Sequence, residues 1–356
     1  MAITLRAATF NLENLLNRAR VLNLDDATTA SAVLDEVGKL GTLLRKNTYT
    51  AADKAQILSI TKAQSKYIEI REDRGKLFSG TGAKMKVSAA GATAWDGAVE
   101  FKRADISEMA RTNTADVIKA LKADVLCTVE VEDREILQNF NSKALGTRKF
   151  KYAMLIDGND PRGIDVGLLS QYELAGLRTH IFDRDSTGII FSRDCLESEL
   201  KLPDGRSLHV LCNHLKSQGY GSPAANDAKR KRQAQRVSEI LAAYDLSTDL
   251  VIVAGDMNDD PSSAALSPLL SVNNLFDVLG LKFGNDTQNR WTYKYGNQLN
   301  QIDFLLVSKP LRDGFQDAGI ERRGMFGAPG VTPFAKVTSP SDSASDHAAV
   351  WSEFTV

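Results

Sequence analysis

The sequence has little cysteine, little histidine and no surplus of charge of either sign. Its three cysteines, Cys127, Cys195 and Cys212, are odd in number and scattered, which excludes a disulfide framework and a Cys-x-x-Cys metal site and leaves them as buried strand thiols. The balance of 44 basic against 45 acidic residues gives a net charge of -1, so no global field draws the chain to DNA or to acidic membranes. Any polyanion contact must be local. No apolar run approaches the roughly 18 residues of a membrane span. The start, Met1-Ala2-Ile3-Thr4-Leu5-Arg6, lacks the charged-then-apolar pattern of a secretory leader. These absences lead to the expectation of a soluble, cytoplasmic protein with no membrane or protein partner implied. What is present, 43% hydrophobic and 25% charged residues over 356 positions, is ordinary globular composition.

Short apolar runs bounded by turn residues recur at residues 3–10, 125–129, 152–156, 166–169, 188–191, 208–212, 250–254, 302–307 and 348–354, enough strands for two sheets. Pro203-Asp204-Gly205-Arg206 separates two further apolar stretches as a hairpin turn, so part of a sheet is antiparallel and a purely parallel doubly wound fold is disfavoured. Helical periodicity marks residues 107–123, with Met109, Val117, Ile118 and Leu121 apolar, and residues 226–244, with a stripe of Ala234, Val237, Ile240 and Leu241. The character changes over residues 17–105. That stretch predicts helices at 28–46 and 50–66, then strands near 67–70 and 98–101.

Six polar clusters stand at the ends of apolar strands: Asn11-Leu12-Glu13, Val129-Glu130, Asn213-His214-Leu215-Lys216-Ser217, Gly255-Asp256-Met257-Asn258-Asp259, Gln301-Ile302-Asp303 and Ser345-Asp346-His347. One such Asp or Asn reads as a turn or helix cap. Six together do not. Hydrolysis of a phosphate ester needs charge neutralised on the phosphoryl oxygens, a water activated in line with the leaving group, and help for the departing oxygen. Oxygen ligands of this kind suit Mg²⁺, with Mn²⁺ as a substitute.

In this order the motifs resemble the endonuclease/exonuclease/phosphatase superfamily, which includes DNase I, exonuclease III-type enzymes, neutral sphingomyelinases and inositol-polyphosphate 5-phosphatases. The resemblance covers residues 1–16 and about 107–356. It implies an α/β (α+β) fold, a four-layer α/β/β/α sandwich of two mixed sheets, in one domain over 1–356; residues 17–105 depart from the family pattern and are expected to form an inserted subdomain near the active-site face. It also implies that Asn11, Glu130 and Asp346 hold the metal with Glu13 as an accessory acid. Asp256 would orient or deprotonate water, Asn258 would bond the phosphate, and Asp303 would fix the tautomer of His347, which stabilises the phosphoryl group. His214, beside Asn213 as a substrate contact, departs from the Tyr-containing motif of exonuclease III-type enzymes. It resembles the DNase I, sphingomyelinase and phosphatase branches, in which it can protonate the leaving oxygen.

Two features bear on substrate. Arg162 either reaches a phosphate as a bidentate donor or pairs with Asp160 or Asp165. The run Lys229-Arg230-Lys231-Arg232, followed by Arg236, is either a solvated face or a phosphate-backbone contact. The insert leaves the chain six residues after Asn11, which leads to the expectation that it walls or covers the phosphate site. The first expectation for function is a nuclease acting on nucleic acid. The alternatives are a hydrolase of a small phosphorylated molecule or lipid headgroup, and a non-catalytic binding protein on the same fold.

Overall fold

Alternation along the first strand already defines the layers. In Thr4–Leu15 (β1) the buried residues Leu5 and Ala7 join one apolar cluster while Ala8 and Phe10 join another, so both faces of the strand are covered. The structure is a computed structural model and describes residues 2–15, 19–24, 26–102, 107–160, 162–219 and 221–356.

The remaining strands of the two large sheets are Val125–Val131 (β2), Tyr152–Leu155 (β3), Asp165–Ser170 (β4), Glu173–Arg178 (β5), Cys195–Lys201 (β6), Ser207–His214 (β7), Leu250–Asp256 (β8), Leu275–Asp277 (β9), Asp303–Ser308 (β10), Phe315–Glu321 (β11) and Ala349–Thr355 (β12). One six-stranded sheet has the order β11-β12-β1-β2-β4-β3 and the other β9-β10-β8-β7-β6-β5. Each is mixed. The parallel pairs are β1 with β2 and β7 with β8, and the hairpin β6–β7 is antiparallel as its turn required.

Residues from both sheets, among them Leu5, Val129, Leu196, Val210, Ile252 and Leu305, share the central core. Helices Glu108–Leu121 (α1) and Arg134–Ala144 (α2) cover the outer face of the first sheet through Val117, Ile118, Leu121, Leu137 and Phe140. Helix Pro223–Leu241 (α3) covers the second through Ala234, Val237, Ile240 and Leu241. The result is the layered α/β/β/α sandwich. Met109 does not belong to the buried stripe expected of it; it is 43% exposed, at the second position of α1. No helix among the described residues is long and apolar enough to cross a membrane.

The chain divides into two compact units, Met1–Leu16 with Ser107–Val356, and Asn17–Ile106. The second has helices Ala27–Leu44, capped by Asp26, and Ala51–Ala63, opened by a capping box of Thr50 and Asp53. An antiparallel pair of strands, Ile68–Arg74 with Asp96–Phe101, follows. Leu40, Ile57, Ile68, Leu77 and Trp95 form its own core, and Trp95 Nε1 donates to the Tyr49 hydroxyl at 3.0 Å.

Candidate active site

The two parallel pairs end where the polar clusters begin. Asn11 sits opposite Val129, His214 opposite Asp256, and Asp256 opposite Asp303, so backbone register alone aligns residues far apart in sequence. Glu13, Glu130 and Asn258 have φ of 46°, 62° and 56°, three of the five non-glycine residues described with positive φ. Such conformations cost free energy and gather where the fold must turn a side chain abruptly off a strand. Gly255 allows the next approach. At φ 136° its missing Cβ would lie 1.9 Å from the Asn213 carbonyl oxygen of the neighbouring strand.

The side chains meet as follows. Asn11 Nδ2 donates to Asp256 Oδ2 at 3.1 Å and lies 3.5 Å from His347 Nε2. His347 Nδ1 is 2.8 Å from Asp303 Oδ2, and its Nε2 is 3.9 Å from Asp256 Oδ2 and 3.8 Å from Asp346 Oδ1. His214 Nε2 lies 3.7 Å from Asp256 Oδ2 and 3.9 Å from Glu130 Oε1. The Asn258 backbone N–H donates to Asp256 Oδ1 at 2.8 Å, and its side-chain amide donates to the Leu215 carbonyl at 3.1 Å. Glu13 donates its N–H to Asn11 Oδ1 at 3.0 Å, while its side chain is exposed, as is that of Asp346. Asn213 is fully buried and donates to the Leu211 carbonyl at 3.1 Å, so its observed contact is with its own strand.

The two histidines are driven apart. Burial, then the charges of Arg193 and His347, hold His214 well below the usual imidazole range, so its ring is neutral at pH 7. Burial opposes charge on His347 too, but the Asp303 and Asp256 carboxylates outweigh it and keep the ring an imidazolium. Burial pushes Asp256 up to about 7, with His347 opposing and Asp303 and Glu130 assisting; burial also raises Glu130. Asp256, Asp303 and His347 offer ligand atoms within 4.8 Å of one another, though His347 Nδ1 is already engaged by Asp303. Crowded carboxylates beside the Asn11 amide, with no thiolate, form a donor set that fits a hard divalent cation, whose charge would offset their raised proton affinity.

The family model described as the Endonuclease/Exonuclease/phosphatase family matches residues 107–347. The chain belongs to that family. Members are generally divalent-metal-dependent phosphoesterases, which agrees with the donor set above. Solved structures share the fold. A family protein from Bacteroides thetaiotaomicron, 13% identical, aligns over 100% of this chain and 98% of its own with a TM-score of 0.53. Truncated TDP2 from Caenorhabditis elegans, 20% identical, aligns over 70% of this chain and 92% of its own with a TM-score of 0.50. TDP2 from D. rerio, solved in complex with a single-strand DNA product, is 14% identical over 71% of this chain and 94% of its own, also at 0.50. No curated protein matches the sequence.

On this family scaffold the fold adds residues that the sequence reading did not single out. Arg193 is buried, 1% exposed, with Nε 3.2 Å from Asp160 Oδ2 and Nη1 donating to the Leu215 carbonyl at 3.4 Å. Its charge bears on Glu130, Asp256 and His214. Asn258 and Arg193 therefore share one carbonyl at the edge of the cluster. Arg162 forks onto Asp160 at 3.1 and 3.0 Å, the ion-pair alternative of its two readings. Tyr293 packs against His347 with ring centroids 4.8 Å apart and ring planes tilted by 41°, and Thr292 Oγ1 accepts the N–H groups of Ile302 and Asp303, both at 3.1 Å.

The loop that carries Arg193 is anchored by His180, which lies outside every motif. His180 Nδ1 is 2.9 Å from Asp183 Oδ2, its Nε2 is 2.9 Å from Glu197 Oε2, and its backbone N–H donates to Asp194 Oδ1 at 2.7 Å. The basic run on α3 is largely neutralised. Arg230 pairs with Asp227 and Asp259, Arg232 with Asp185, and Arg236 with Asp183 and Glu239.

Proposed function

We propose that the protein is a metal-dependent phosphodiesterase, a DNase I-like nuclease acting on nucleic acid. The observation that carries this reading is the convergence of Asn11, Glu130, His214, Asp256 and His347 at separations of 3.1 to 3.9 Å. Asn11 and Glu130 would hold Mg²⁺ or Mn²⁺, joined by Asp346, with Glu13 as an accessory acid. When bound, the cation neutralises charge on the phosphoryl oxygens. Asp256 is the water-activating base: two donors, Asn11 Nδ2 and the Asn258 N–H, fix its carboxyl, and the proton affinity that burial raises would be offset by a bound cation, leaving the carboxylate free to accept the water's proton. His347, charged and oriented by Asp303, stabilises the phosphoryl group, and Arg193 adds a second fixed cation at its edge. Neutral His214 supplies one ring N–H toward the phosphate and its leaving oxygen. Asn258 completes the set of donors.

The single-strand DNA product bound by D. rerio TDP2 supports nucleic acid as the substrate. The neutral chain and the ion-paired basic run favour the second reading, a hydrolase of a small phosphorylated molecule. The intact polar cluster tells against a non-catalytic role. Incubating the protein with Mg²⁺ or Mn²⁺ and plasmid, single-stranded DNA, RNA, bis-p-nitrophenyl phosphate or inositol phosphates separates these readings. Plasmid nicking or strand cleavage is the expected result; release of phosphate from monoesters alone would move the protein to the second reading, and silence on all substrates would end both.

A further inference from the structure

Two lysines beside the cluster have no carboxylate as an ion-pair partner among the described residues. Lys216 follows β7, and its ammonium donates to the Gly219 carbonyl at 2.8 Å, the Ser217 carbonyl at 3.1 Å and Ser217 Oγ at 3.3 Å, all uncharged oxygens. Lys229, half-buried on α3, has no hydrogen-bond or ion-pair partner among the described residues, unlike Arg230, Arg232 and Arg236 of the same run. Helical spacing places it on a particular face. Asn226 and Gln233 stand three positions before and four after it, and both grip the loop after β7: Asn226 Nδ2 donates to the Gln218 and Gly219 carbonyls at 2.8 and 3.2 Å, and Gln233 Oε1 accepts the Lys216 N–H at 2.7 Å. Arg230 adds a 2.6 Å bond to the Lys216 carbonyl.

The same loop begins at Leu215, whose carbonyl is held by Asn258 and Arg193. The two lysines thus stand on a loop and helix joined by hydrogen bonds, both within reach of the charge of Arg193 at the edge of the candidate active site. Burial and then the charge of Arg193 hold both ammonium groups below their ordinary range, which reports like charges crowded together. Asp160 is the one nearby acid whose charge reaches Lys229, and Arg162 and Arg193 already share it. Half-buried cations without counter-ions are costly unless an anion completes them.

We propose that Lys216 and Lys229 form a subsite for a second phosphate, the one next to the scissile phosphate on a nucleic-acid strand. The proposal rests on the phosphodiesterase reading and narrows it: substrates with a phosphate on either side of a nucleoside are selected over isolated diesters. Lysine suits this duty, because an ammonium on a flexible stem neutralises a phosphate without demanding one fixed geometry.

The test has two arms on the full chain. In EDTA, without cleavage, binding of a fluorescent 12-nucleotide single strand is followed against NaCl for the wild type, Lys216→Gln, Lys229→Gln and the double variant. The double variant is expected to bind about tenfold more weakly at 0.1 M NaCl, with the slope of log affinity on log salt reduced by about 0.7, one single-strand phosphate contact. Lys229→Glu is expected to bind more weakly still. With Mg²⁺, hydrolysis of bis-p-nitrophenyl phosphate, which has one phosphate, is expected to stay within twofold of wild type in all variants. Unchanged affinity and slope, no binding by the wild type, or an equal loss on bis-p-nitrophenyl phosphate would overturn the subsite. Failure of the wild type to hydrolyse any diester would instead overturn the phosphodiesterase reading, and the EDTA arm still decides the subsite.

Discussion

His347 Nδ1 and Asp303 Oδ2 lie 2.8 Å apart, and Asp303 has no exposed surface. The acid can therefore do little except orient and charge the ring, as a buried carboxylate behind a histidine does in other hydrolytic sites. Asp303→Asn keeps the shape and removes the charge. Turnover is expected to fall about 10³-fold with a small change in KM, because a group that acts on the developing transition state is lost rather than a uniform binding contact. Steady-state kinetics on bis-p-nitrophenyl phosphate reads this directly; near-normal turnover would remove His347 from the chemistry.

Glu130→Gln tests the cation site by a different readout. The variant is expected to fold normally, to lose at least about 10³ in turnover, and to weaken Mn²⁺ binding measured by calorimetry. Lost activity with Mn²⁺ affinity unchanged would assign Glu130 another role.

Gly255→Ala is expected to cost about 3 kcal/mol, from a Gly-only backbone conformation and overpacking against Asn213, and so to lower Tm by about 6–12 °C. The cause is the 1.9 Å approach that a Cβ would make to the Asn213 carbonyl. A thermal melt within 2 °C of wild type would mean that β7 and β8 can separate locally at little cost.

His180 predicts a pH dependence outside the site. Burial works against its charge, but hydrogen bonds to Glu197 and Asp183 raise its pKa above the ordinary 6.5. Because the folded value lies above the unfolded one, its contribution is fully present below about pH 6.5 and is lost as pH rises through the raised value. The difference in Tm between wild type and His180→Gln should accordingly shrink from pH 6 toward pH 9. A difference that is constant or grows with pH would show that the ring is neutral in the folded protein.

Strand ends were legible because short apolar runs stop abruptly at a cluster of Asp, Asn, Glu or His, and because the same clusters resemble a known family in order. The layers followed from the short apolar runs, the Pro203–Arg206 turn and the stripe of α3. Arg193 was not legible: it stands next to Asp194 like a surface pair, and only tertiary packing brings it to Asp160 and Leu215. The pairing of the basic run of α3 was not legible because three of its acidic partners, Asp183, Asp185 and Asp259, stand more than 25 residues away in sequence. Residues 188–191 read as one strand but form a two-residue arm, Gly188–Ile189, paired with Arg184–Asp185, while Ile190 and Phe191 turn into the core under α3. Hydrophobicity alone does not distinguish these outcomes.

The first strand lies between the last strand and β2, with Thr4 opposite Thr355. β1 consequently stays unpaired on one edge until a strand hundreds of residues later in the chain docks against it, and His347, two residues before that strand, is seated only then. A chain interrupted before β12 would therefore lack a seated His347, so the polar cluster is completed only as one of the last steps of folding.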